Sequence, residues 1–166
     1  MAVSPVLALY GGLYHWFPSV TGRMLDDRLG KIHFWITFVG TYLIYFPMHY
    51  IGFLGVPRRY YSNEQYDFIP QSVADLNQFI TICALIVGAS QFILLYNFVN
   101  STIRGKKASK NPWGACTLEW QTLESPPGHG NWGDQLPVVY RWPYDYGLPG
   151  ATADFVPQNV PDEQIT

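Results

Sequence analysis

No Asp, Glu, Lys or Arg occurs between Lys31 and Arg58, and none occurs between Asp75 and Arg104. A helix needs about 20 mostly apolar residues to cross a hydrocarbon core about 30 Å thick. Both runs reach that length, and they constrain the fold more than any other feature. Composition agrees: the chain is 48% hydrophobic and 17% aromatic but only 13% charged, against about 25% charged in ordinary soluble domains. These values place it in a bilayer.

A shorter uncharged stretch precedes them, Met1 to Gly22. Its apolar core, Val6 to Phe17, contains Gly11-Gly12, a pairing that lets membrane helices approach closely. Tyr14, Trp16 and Phe17 read as interfacial aromatics, and Pro18 is expected to end the helix. A secretory signal would need a basic start and a small-residue cleavage site, and neither is found. Ser19 to Lys31 reads as a short charged loop. The expected fold is an all-α membrane protein with helices at about 3–17, 32–54 and 75–103, the first a partial span. Residues 1–104 form the membrane part. Residues 105–166 form an irregular tail rich in Pro, Gly and Trp, laid over protein, whose last dozen residues are candidates for disorder.

Three antiparallel crossings put Arg23, Arg28 and Lys31 on the same side as Arg104, Lys106, Lys107 and Lys110, seven basic residues against the two of Arg58-Arg59. The positive-inside bias then predicts that the tail is inside. A formal charge of -2 and a pI near 6.0 give no field to attract nucleic acid. Cys83 and Cys116 suggest neither a disulfide framework nor a thiolate metal site.

Four histidines raise the question of a metal. His33 and His49 share a helix but stand roughly 24 Å and 160° apart, too far to hold one ion. His15 and His129 have no partner at ligand spacing. His33, Thr37 and Thr41 recur every four residues as a polar stripe, for which interhelical hydrogen bonding is the plainer reading and a wet or proton-bearing path the other. Arg58 and Arg59 follow Pro57 in a loop with many aromatics and few acids. A guanidinium fork grips carboxylates and phosphates, so an anionic cofactor or partner surface fits there.

The runs Gly11-Gly12-Leu13-Tyr14-His15-Trp16-Phe17-Pro18, Thr21-Gly22-Arg23-Met24, Gly30-Lys31-Ile32-His33-Phe34, Phe46-Pro47-Met48-His49, Val56-Pro57-Arg58-Arg59-Tyr60, Leu118-Glu119-Trp120 and Ser125-Pro126-Pro127 occur in this order. Together they resemble the C-terminal part of subunit I of haem-copper oxidases of the cytochrome c oxidase type, as far as about Val139. The resemblance implies part of a twelve-helix subunit that reduces oxygen and pumps protons, here the end of the tenth helix, the eleventh and the twelfth. It implies that Arg58 and Arg59 contact propionates of haem a and haem a3 on the outer side, with Tyr45 and Met48 as further haem contacts. The histidines that ligate haem iron and copper, and the entrances of the main proton channels, would lie before the matched residues. The chain would therefore contact the haems without ligating them, leave copper to other helices, and be inactive alone.

The implied partners are the remainder of subunit I, subunits II and III, cytochrome c as electron donor, and the lipid bilayer. The implied location is a bacterial cytoplasmic or inner mitochondrial membrane. His33 matches the histidine of a third proton route in mitochondrial members, but Ile44 and Met48 stand where that route is polar. The chain reads as a piece of a split subunit or a truncated reading frame. A non-catalytic assembly protein derived from the subunit, or a quinol-oxidising relative, are the alternatives.

Overall fold

The computed structural model describes residues 3–57, 59, 61, 67, 69–122, 131–132, 136–145 and 149–164. Three long helices carry the chain: α1 (Val3–Thr21), α2 (Asp27–Phe53) and α3 (Ser72–Arg104). Two short 3-10 turns follow, Leu118–Trp120 and Asp162–Gln164. Among the described residues there is no strand, and Arg23 and Lys107 form an isolated antiparallel bridge. By length and composition one described helix, α3, is long and apolar enough to cross a membrane.

The helices exceed their expected bounds, for local reasons. Pro18 was expected to end α1, yet the helix continues to Thr21. A proline deletes one backbone donor, but the last turn is satisfied in other ways. Thr21 Oγ1 donates to the Phe17 carbonyl at 2.8 Å and Gly22 N–H donates to Pro18 O at 2.9 Å. Gly22 adopts φ 67°, the left-handed cap that a residue with a Cβ resists. The loop expected over residues 19–31 shrinks to the few residues before Asp27. Asp26 accepts from the backbone N–H groups of Arg28 and Leu29, both at 2.9 Å, and so caps α2. Asp27 lies in the first turn, where the helix dipole favours an acid. Charges that read as a loop are thus a helix start. Lys31 pairs with Asp27 at 3.2 Å one turn on, an exposed pair worth only about 0.3–0.5 kcal/mol.

The chain forms two compact units, Asp26–Asn100 and Met1–Leu25 with Ser101–Thr166.

In the Asp26–Asn100 unit, α2 and α3 pack antiparallel. Asp26 meets Asn97, His33 meets Gln91, Thr37 meets Ser90, and Gly40 faces Val87. Numbers rise on one helix as they fall on the other. Beyond these contacts Ile51, Val73 and Ile80 form a small buried core with Ile44, Leu54, Val56, Ile69 and Leu76 against it. At Gly40 any Cβ would collide with the Val87 side chain, so the close approach of the helices depends on that glycine.

In the other unit the tail packs on α1. Phe17, Cys116, Trp120 and Val156 are buried. Trp113 Nε1 donates to His15 O at 3.1 Å, and Trp16 Nε1 donates to Glu119 Oε1. Gln158 ties down the end of the tail. Its side chain accepts from Leu118 N–H at 3.2 Å and donates to Arg141 O at 3.1 Å. Its backbone donates to Cys116 O at 3.0 Å and accepts from Tyr140 N–H at 2.9 Å. Asp162 adds an ion pair to the buried guanidinium of Arg141.

Candidate functional site

Of the arginine pair, Arg58 lies outside the described residues, as does Tyr60. Arg59 is exposed, and its backbone sits at φ 62°. That left-handed conformation costs a residue with a Cβ roughly 1–2 kcal/mol. Such strain persists only where surrounding structure holds it, and it gathers at ligand clamps. Among the described residues no carboxylate pairs with Arg59. A cation that no described acid pairs suits an external carboxylate.

Tyr45 and Met48 lie about one turn apart on α2, with exposures of 44% and 46%. They are open to whatever adjoins this helix. His49, one turn beyond Tyr45, is bonded through Nδ1 to the Tyr45 carbonyl at 2.7 Å. The exposed side of α2 also carries an aromatic series, Phe34, Trp35, Phe38 and Tyr42. The Phe38 and Tyr42 rings meet edge to face at 5.1 Å.

The polar stripe resolves into directed bonds. Gln91 Nε2 donates to Val87 O at 3.0 Å and to Ser90 Oγ at 3.1 Å, which turns Gln91 Oε1 toward His33. His33 Nε2, 3.2 Å away, is then the donor. Ser90 Oγ donates to Val87 O at 2.7 Å, so at 3.4 Å it receives the Thr37 hydroxyl. The Gln91 and Ser90 donations end on the Val87 carbonyl. His33 is 1% exposed and Thr37 5%. Thr41 is half-buried and makes no interhelical bond among the described residues.

No group of three or more His, Cys, Asp or Glu side chains converges as a metal-ligand set among the described residues. His15 lies among indoles, stacked on Trp113 at 5.9 Å and edge-on to Trp120 at 5.1 Å. His129 lies outside the described residues. Burial pushes the Cys116 thiol above its ordinary range, and the Arg141 guanidinium partly offsets this.

Two arrangements escape a reading of the sequence. Asn97, fully buried, donates to Asp26 O at 3.0 Å and accepts from Asp26 N–H at 2.9 Å. Its signal was an amide inside an apolar run, which demands a partner without naming it. The Gln158 hub had no signal beyond the amide pair Gln158-Asn159 in a proline-rich tail.

Residues 1–112 match the family model described as Cytochrome C and Quinol oxidase polypeptide I. An alternative cytochrome c oxidase subunit 1 of Bradyrhizobium diazoefficiens is 60% identical over 161 residues, 97% of this chain and 27% of that protein. Cytochrome c oxidase subunit 1 of Thermostichus vulcanus is 48% identical over 143 residues, 86% of this chain and 24% of that protein. A heme-copper oxidase subunit I+III of Aeropyrum pernix is 41% identical over 135 residues, 81% of this chain and 16% of that protein. The chain thus spans about a quarter or less of the length of these curated relatives.

Proposed function

The chain belongs to the Cytochrome C and Quinol oxidase polypeptide I family, and from that premise we propose that it serves as the C-terminal segment of subunit I in an oxygen-reducing, proton-pumping terminal oxidase. What carries this reading is a match that runs through nearly the whole chain with few residues unaligned. On it, α1, α2 and α3 are three membrane helices of a twelve-helix bundle, with the tail on the inner side. The exposed aromatic side of α2 packs on the rest of subunit I. Subunits II and III and an electron donor, cytochrome c, complete the enzyme in a bacterial cytoplasmic or inner mitochondrial membrane.

Arg59 suits the edge of a haem, being a cation with no acid paired to it among the described residues. In the assembled enzyme the haems and copper supply electron transfer and oxygen reduction. Arg59, with Arg58, donates charge-assisted hydrogen bonds to haem propionates. Their positive charge keeps the propionates ionised and favours the reduced haem. Tyr45 and Met48 contact the macrocycle. His33, Thr37 and Ser90 bind α2 to α3.

The test is purification of a tagged chain from its native membrane in mild detergent. Helices bearing the missing histidines, and haem seen in the reduced-minus-oxidised spectrum, are expected in stoichiometric amounts. A stoichiometric complex without haem overturns the reading in favour of a non-catalytic assembly protein.

A further inference from the structure

Four basic residues gather where α3 ends: Arg104, Lys106, Lys107 and Lys110, all exposed. No Asp or Glu occurs between Asp75 and Glu119, and Glu119 is engaged by the Trp16 indole. Among the described residues none of the four cations makes an ion pair. Arg104 stands in the last turn of α3 and complements the negative end of its dipole, an effect that fades beyond that turn. The three lysines lie past it, beyond the reach of the dipole, on the side that the positive-inside bias favours.

The segment carrying them is held in place. Gly105 N–H donates to Ser101 O at 2.8 Å, Met24 N–H to Lys106 O at 2.8 Å, and Ala108 N–H to Gly22 O at 2.9 Å. Arg23 Nη1 donates to Gly105 O at 2.7 Å. A side chain at Gly105 would collide with the carbonyls of Ser101 and Met24, so the clasp closes only around glycine. The lysines are thereby kept at the level of the helix end. Ile103, 65% exposed, leaves apolar surface just before them. Trp113, 45% exposed, adds an indole of the kind that sits at headgroup depth.

We propose that Arg104, Lys106, Lys107 and Lys110 form a binding site for the phosphate headgroup of anionic phospholipids. Free phosphate shares that chemistry, but only a lipid also uses the apolar surface of Ile103, where its acyl chain lies. Each basic residue near an anionic membrane surface is worth about a fivefold preference.

The test reconstitutes the protein, in its native assembly, into phosphatidylcholine vesicles with a trace of photoactivatable phosphatidylglycerol or phosphatidylcholine. Crosslinks are mapped by peptide mass spectrometry. Residues 104–113 are expected to be labelled more by the anionic probe, and less as salt rises. Lys106→Gln/Lys107→Gln/Lys110→Gln should lose about fivefold per lysine, while the triple Lys→Arg variant retains the labelling. Equal labelling by both probes, or labelling indifferent to the glutamines, refutes the site. Displacement by inorganic phosphate at matched ionic strength also refutes it, in favour of a free-anion site. Should the glutamine variant not assemble, the probe comparison and salt dependence of the unaltered protein decide the matter.

Discussion

Asn97 and Arg59 place polar groups in an apolar chain to opposite ends. The Asn97 amide meets both the N–H and the carbonyl of Asp26, so one side chain secures the start of α2 against α3. Asn97→Ala removes both bonds, and the thermal unfolding of the detergent-solubilised protein is expected to show a loss of about 1–2 kcal/mol. Asn97→Asp turns an oxygen toward the Asp26 carbonyl and should recover none of it. Arg59 is exposed and faces outward from its own fold. On the proposed function Arg59→Gln lowers the midpoint potential of the adjacent haem by an amount on the order of tens of millivolts, where 59 mV is tenfold in a one-electron equilibrium. Arg59→Lys should recover most of the shift. Redox titration of the assembled enzyme measures both, and an unmoved potential excludes the propionate contact.

At the level of elements, the helices were legible because charge-free runs of that length leave little alternative, but their boundaries were not. Asp26, Asp27 and Lys31 were read as loop because charge alone does not distinguish a solvated linker from a capped first turn. What decides is the Asp26 carboxylate accepting two backbone donors, a geometry invisible in composition. The polar stripe was visible as a spacing of four, yet its partners Gln91 and Ser90 depend on the register of α3. Gly40 fixes that register. Gly40→Ala is expected to cost about 1–3 kcal/mol by overpacking against Val87. Adding Val87→Ala should relieve most of that cost, and a double-mutant cycle on unfolding in micelles measures the coupling. Additive effects would mean that the helices do not meet there.

For the whole molecule, the tail was the least legible part, since its order rests on single contacts such as Gln158 and Arg141 rather than on any period. Cys116 reports on it. Its thiol is held above the ordinary range, chiefly by burial, so the folded state binds this proton more tightly than the unfolded chain. That contribution is complete below the ordinary thiol range of about 8.5 and is lost as pH rises through the raised folded value. In a Cys83→Ala background, maleimide labelling of Cys116 at about pH 7 is expected to be far slower in the native than in the denatured protein. The melting temperature should fall on the alkaline side of the ordinary thiol range.

The packing of α1 against the tail has a consequence for the order of events during synthesis. The contacts of Trp16 with Glu119 and of Trp113 with His15 join residues 103 and 98 positions apart. Each doubling of such a loop adds about 0.6 kcal/mol of closure entropy. The α2–α3 hairpin can close while translation continues. On the proposed function α1 must then wait in the membrane until Trp113 and Glu119 leave the ribosome, its Trp16 indole and His15 unmatched, and that interval is when a chaperone or a neighbouring helix has access to them.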